Sequence, residues 1–493
     1  GIDLGTSYSC IAYIDNTGRP QVIPNKDGEN ITPSVVAVQE FDGKEMVEVG
    51  TWAYETWGFD KTKAHARFKR QMHETDLQIK LGEKSYTPAD LSSFVLKKLV
   101  QDAKDQLGEI EEVVISIPAN FPNEAREATL RAGDLAGLKV NFIVNEPTAA
   151  ALYYSFLNQE ALDGIYTVYD LGGGTFDFSV IEVKDNEVNV LNSDGIQKCG
   201  GDDFDKLLYD IIVDKYHEKT KEEVNDLDFN LTHAEKAKRS LTSKEKALVK
   251  VGKEIIEITR DEFNEAISSL ILQTKVTVEK TINDSGVEFS DVLEIYMVGG
   301  STRIPLVQDT IASIFNKQPI QSVNPDEVVA LGAALYAGIR GDQTKLNDAG
   351  KVSISKIQVQ EISNKCFGTL VLNPDHEQVN STLIFKGDKI PTSLTDTYFI
   401  IHNLQETVRI QITESVVPEE NIDFVRIIWE GDLELSDPKQ VLAGDPIEVT
   451  YSYDSNQVMQ CEFTEKRSGV SKKVQLDMNK FAKSNSTEDI EVI

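Results

Sequence analysis

The sequence predicts a multidomain chain: a two-lobed α/β domain over residues 1–341, a linker over 342–361, an all-β sandwich over 362–478 and an acidic tail over 479–493. Three observations carry this. Apolar strand-like runs that end in glycine-rich or acidic turns recur through residues 1–340, as in open α/β sheets whose strand ends carry ligand sites. One such turn occurs twice, as Asp3-Leu4-Gly5-Thr6 and as Asp170-Leu171-Gly172-Gly173-Gly174-Thr175-Phe176-Asp177, so two similar lobes are expected. Beyond residue 361 the pattern becomes strand after strand, with period-two alternation over residues 407–413.

The longer turn is the centre of the first domain. Three successive glycines leave main-chain N–H groups bare and open to close approach, which makes an anion cradle suited to polyphosphate. Asp170 and Asp177 would repel phosphate, so their expected role is to hold a hard cation, or water around it. A glycine hairpin with two solvated aspartates is the bland alternative, and it leaves the recurrence unexplained.

Composition bounds the rest. The 493 residues suffice for several domains with real cores. A net charge of −31 disfavours nucleic acid and anionic membrane surfaces. The four cysteines, Cys10, Cys199, Cys366 and Cys461, lie far apart without C-x-x-C spacing, so neither zinc nor a disulfide framework is indicated. No apolar run reaches membrane-spanning length. The expected location is the cytoplasm, with an organelle left open because the chain does not start with methionine.

In chain order, the basic run 61–70 stands out in an acidic protein; most of it reads as a solvated helix face, with one lysine reaching phosphate. Thr87-Pro88-Ala89-Asp90 opens a helix with an N-cap, a proline at its first position and an acid in its first turn. Leu91, Phe94, Val95 and Leu99 form its buried stripe and Gly108 ends it. Residues 113–118 read as a buried strand, 123–136 as a helix, and 142–144 as a strand delivering Asn145-Glu146-Pro147-Thr148. Cys199-Gly200-Gly201-Asp202-Asp203-Phe204 looks like a phosphate-proximal strand-to-helix turn. Thr259-x-x-Glu262 is a capping box for a long helix running towards Gly286. A strand over 294–298 ends in Gly299-Gly300-Ser301-Thr302-Arg303, followed by Asn324-Pro325-Asp326-Glu327 and the close-packing Gly332-Ala333-Ala334.

These motifs, in this order, resemble the DnaK-type 70-kDa heat-shock chaperones, whose first domain has the actin-like (ribonuclease H-like) ATPase fold and whose second is a β-sandwich that binds peptide. The resemblance is strong to about residue 340 and looser through 478. It implies ATP hydrolysis to ADP and phosphate, coupled to holding and releasing extended apolar segments. Phe68-Lys69-Arg70-Gln71-Met72 resembles the family's lysine segment and picks Lys69. By the same resemblance Asp3, Lys69, Glu146, Asp170, Thr175 and Asp177 would surround the γ-phosphate, Mg²⁺ and attacking water. Asp3 and Asp170 would hold the metal, mainly through water. Gly5, Thr6, Ser7 and Tyr8, with Gly172, Gly173 and Gly174, would cradle phosphates. Gly200, Gly201, Asp202, Glu235, Lys238, Arg239 and Thr242 would hold the adenosine beside Gly299, Gly300, Ser301, Arg303 and Asp326. Pro118 and Arg126 match residues that relay nucleotide state. K⁺ is a further candidate ion. The implied partners are unfolded or extended polypeptides, a J-domain co-chaperone and a nucleotide exchange factor, with no nucleic acid and no membrane.

The chain departs from the family in three places. The linker segment 357–361 alternates with Gln358 and Gln360 where leucines are expected. The peptide-cleft positions align to Thr369, Val371, Leu372, Tyr398, Ile401, Val408 and Ile410, which as apolar strand residues are either core or ligand contacts. No helical lid follows residue 478, which fits either a removed lid or a short member of the family. Beside the chaperone reading stand a chaperone-like partner that binds ATP structurally and a small-molecule kinase of the same superfold. The kinase reading gives the second domain no place.

Overall fold

The computed structural model describes every residue except 42–43, 111, 158–162, 185–186, 321–322, 356–357, 364, 455–457, 476–491 and 493. Gly1–Val359 form one compact unit and Gln360–Lys480 another.

In the first unit, two sheets share one wiring. Ile2–Asp3 turns back into Tyr8–Ile14 and then Pro20–Val22, all antiparallel, while Glu112–Ile117 runs parallel to the first strand and Lys139–Asn145 parallel to that. The second sheet repeats the pattern. Gly164–Leu171 turns back into Phe176–Lys184 and then Glu187–Ile196, with Val292–Val298 parallel to its first strand. Asp3 pairs with Cys10 and Asp170 with Asp177, so the two Asp-Leu-Gly turns are equivalent hairpins.

Helix Glu146–Leu157 packs against strands of both sheets, and helix Val328–Arg340 packs against it and against strands of the first sheet. Where they meet, a Cβ on Gly332 would fall 1.7 Å from the Ala149 carbonyl oxygen, so this backbone approach requires glycine. Tyr154 and Tyr166 each stack on Tyr296 in the surrounding core. Helix Pro88–Leu107 begins at a reciprocal Thr87–Asp90 capping box, buries Leu91, Phe94, Val95 and Leu99, and stops at Gly108 with φ 74°. Thr259 and Glu262 likewise cap Arg260–Ser285, which ends at Gly286 with φ 71°.

Two expectations need correction. Residues 342–355 are part of the first unit. They form a 3-10 turn, Gln343–Lys345, and a helix, Asp348–Ile354, capped where the Asn347 side chain accepts from Gly350 N at 2.7 Å and anchored by buried Ile354. A helix of seven residues is too short to display a period. The basic run is not a helix face either: Ala64–Ala66 is a strand, Phe68–Gln71 a 3-10 turn, and Arg67 between them has φ 66°. The tail lies outside the described residues but for Val492, which is buried and bridges Val47.

The second unit holds two four-stranded antiparallel sheets: Gln378–Ile384, Cys366–Leu372, Thr407–Ser415 and Arg426–Glu434, and Thr392–Phe399, Pro446–Tyr453, Met459–Glu465 and Ser471–Gln475. Phe367, Ile412 and Leu433 from one meet Val449, Tyr451 and Phe463 from the other in a shared core. Gln378–Ile384 was not expected as a strand, because its polar residues break the apolar pattern. The candidate peptide residue Tyr398 lies on the strand Thr392–Phe399.

Candidate functional site

Both Asp-Leu-Gly turns open into one cavity of about 340 Å³ in the first unit. Gly5, Thr6, Ser7 and Tyr8 reach it from the first turn, and Gly172, Gly173, Gly174 and Thr175 from the second. Gly201 and Asp202 reach it from the start of helix Gly201–Thr220, and Glu235, Lys238, Arg239 and Thr242 from helix Leu231–Ser243. Gly299, Gly300, Ser301, Arg303 and Asp326 also line it, whereas Gly200, expected among them, does not. The loops touch through their glycines: a Cβ on Gly173 would stand 1.9 Å from Ser7 Oγ, and one on Gly200 2.6 Å from the Gly173 carbonyl carbon. Ser301 Oγ donates to Gly172 O at 2.8 Å, and Gly201 N and Asp202 N donate to Gly172 O and Gly173 O. The cradle is therefore a knot of main chain.

At one end the cavity is acidic. The 3-10 turn Phe68–Gln71 aims Lys69 inward, where Nζ lies 2.7 Å from Glu146 Oε1 with both residues buried. Burial alone would lower the Lys69 pKa, but Glu146, Asp3 and Asp170 outweigh it and raise it. Asp3 accepts from Ser116 Oγ at 2.7 Å, yet burial and then Glu146 push its carboxyl up to about 7. Asp170 and Asp177 are pushed well above the usual carboxylate range by burial, then by Glu146. Asp177 lines not this cavity but a smaller one behind Lys69, and its Oδ1 is buried without a hydrogen-bond partner.

Crowded, buried acids beside a main-chain anion cradle are the donor set that a divalent cation on a polyphosphate would relieve. Among the described residues no three His, Cys, Asp or Glu side chains are grouped to cage a metal. The fit is thus to Mg²⁺ that keeps most of its water and meets few carboxylates, its usual habit with phosphates.

At the other end Glu235 accepts from Tyr8 OH at 3.0 Å, from Tyr54 OH and from Arg239 at 2.6 Å. Burial works against its charge, but Lys238 and Arg239 hold its pKa below the usual value. The Arg239 guanidinium lies 5.1 Å from the Tyr8 ring centroid. Lys238 pairs with Asp205 at 2.9 Å, and Arg303 with Asp326 at 2.7 Å.

Sequence reasoning missed Tyr54, Arg67, Arg70, Asp203 and Asp205. Arg70 pairs with Asp203 at 2.6 Å and donates to Gly174 O at 2.6 Å, and Arg67 pairs with Asp202 at 2.9 Å. The one available signal was the density of cations at 61–70 facing acids in the 202–205 turn. Arg126 is fully buried and donates to Ala119 O and Phe121 O, bracing the loop after Pro118.

The candidate peptide residues of the second unit do not share one environment. Thr369 and Ile410 are buried, Thr369 Oγ1 donating to Gln411 O at 3.1 Å. Val371, Tyr398 and Val408 are half-buried, and Leu372 and Ile401 are exposed.

A model of the Hsp70 protein family matches residues 1–75 and 54–492. The chain is 35% identical over 481 residues to "Chaperone protein DnaK" of Thermotoga neapolitana, covering 93% of this chain and 77% of that one. No helix among the described residues is long and apolar enough to cross a membrane.

Proposed function

The chain belongs to the Hsp70 family, that of the ATP-dependent chaperones, and from that premise we propose that its first unit, with the actin-like two-lobed fold, hydrolyses ATP to ADP and phosphate while its second binds and releases extended apolar segments. The observation that carries this reading is the convergence of two equivalent phosphate-type turns on a cavity that also holds the buried Lys69–Glu146 pair.

The turns containing Thr6, Ser7 and Gly172–Gly174 offer main-chain donors to the phosphates. Lys69 stabilises charge on the transferred phosphoryl, and Glu146 keeps that ammonium charged and oriented. Asp3 and Asp170 orient the water shell of Mg²⁺, which offsets phosphate charge when bound. Asp177 and Thr175 lie beside the path of the attacking water. Glu235, Lys238, Arg239 and Arg303 hold the nucleoside end. J-domain and exchange-factor partners are the proposed company of such a cycle.

Single-turnover hydrolysis of Mg²⁺-ATP, with and without an extended apolar peptide, tests the proposal. Measurable hydrolysis and a peptide affinity that differs between ADP and ATP are expected. ATP binding without turnover would favour the structural-ATP partner instead.

A further inference from the structure

We propose that the small cavity behind Lys69 holds ordered water that supplies the reacting end of the nucleotide cavity, with Asn120 as its positioning residue. The inference rests on the ATPase reading above.

The cavity measures about 30 Å³. About 10–15 Å³ of such space suffices for one water, so there is room for a pair. Lys69 and Thr175 line both this cavity and the larger one, so the two volumes adjoin there. Phe121, Pro122 and Ile196 give it apolar walls. Asn120 and Asp177 line it, and Asn120 Nδ2 and Asp177 Oδ1 are both buried without a hydrogen-bond partner. Buried polar groups in native proteins are paired, and water is the usual partner where the site is polar and roomy.

Gly195, next to Ile196 of the lining and paired with Asp177 across the sheet, sets the two polar atoms near one point. A Cβ there would lie 2.8 Å from Asp177 Oδ1 and 2.9 Å from Asn120 Nδ2, as well as 2.5 Å from Phe176 O. Any side chain at 195 would take the volume that the two polar atoms share.

Each turnover consumes one water: its oxygen bonds to the γ-phosphorus, the bond from that phosphorus to the β-phosphate oxygen breaks, and the proton leaves with the products. A nucleotide filling the larger cavity blocks resupply from the front. Water held beside Asn120 and Asp177 borders Thr175 and Lys69, so it can furnish the attacking water once nucleotide has filled the larger cavity.

Two measurements test this on the full chain. A high-resolution crystal structure with a non-hydrolysable ATP analogue should show water within hydrogen-bond distance of both Asn120 Nδ2 and Asp177 Oδ1; a dry cavity overturns the proposal. Asn120→Leu, which keeps the branched shape but is apolar and bulky enough to displace water, should slow single-turnover hydrolysis by about tenfold or more, with ATP Kd close to wild type. Asn120→Ser, which keeps a hydroxyl and leaves space for water, should recover most of the rate. Should the leucine variant not fold, the serine variant and the density decide. A leucine variant as fast as an active wild type rejects the water supply. A wild type that does not hydrolyse ATP rejects the ATPase reading, while the crystallographic water still judges the cavity.

Discussion

Lys69 Nζ stands 2.7 Å from Glu146 Oε1, and neither side chain is more than a tenth exposed. The cation of the reacting end is thus held by the first residue of helix Glu146–Leu157, and removing either partner strands a buried charge.

Lys69→Ala should slow single-turnover hydrolysis by about a hundredfold, by loss of charge stabilisation in the transition state. ATP affinity should stay within about tenfold. The stranded Glu146 should cost about 3–5 kcal/mol of stability. Adding Glu146→Gln should restore Tm but not the rate, which separates chemistry from folding. An unchanged rate at saturating ATP would dispose of the role assigned to Lys69.

Asp170 is buried beside Glu146, Asp177 and Asp3, an arrangement that a cation relieves. Asp170→Asn should weaken Mg²⁺-ATP by about tenfold or more while affecting metal-free ATP by far less. Calorimetry with and without Mg²⁺ decides, and equal losses would point to a folding role.

Asp3 makes the ligand-free first unit sensitive to pH. Its carboxyl sits at about 7 when folded against 3.8 as the ordinary value. Between those values the folded chain keeps a proton that the unfolded chain has released, so stability falls as pH rises through the window. The size should be roughly 2–4 kcal/mol, allowing for the partial opening of Asp3 to the cavity. Denaturant midpoints of the first unit at pH 5 and 7.5 measure it, and Asp3→Asn should flatten the difference. An identical slope in the variant would assign the effect to other groups.

Tyr54 and Tyr8 both donate to Glu235, which lines the cavity. Tyr54→Phe removes one of these donors without removing the ring. Nucleotide dissociation followed by stopped flow should quicken by roughly threefold to tenfold, in keeping with about 1–1.5 kcal/mol for one hydrogen bond. No change in the dissociation rate would mean that Tyr54 only trims the surface.

Much of this was legible in the sequence because the signals were local. The Thr87–Asp90 and Thr259–Glu262 boxes, the glycine stops at 108 and 286, and the twin Asp-Leu-Gly turns each occupy a few adjacent residues. What escaped was set by distance along the chain. Arg70 meets Asp203 across 133 positions and Tyr54 meets Glu235 across 181, and no nearby pattern announces either. The helix Asp348–Ile354 escaped through brevity, and Gln378–Ile384 because its polar residues hide its period. In the second unit, alignment alone could not tell buried Ile410 from exposed Ile401; only the packed sheets separate them.

The meeting of Ala149 and Gly332 constrains how the first unit can move. With main chain against main chain there is no side chain to compress, so the two helices cannot be driven closer along that line. They can still turn about it. The crossing is therefore a hard stop one turn from Glu146 on the same helix, and any side chain at 332 would have to force the two helices apart.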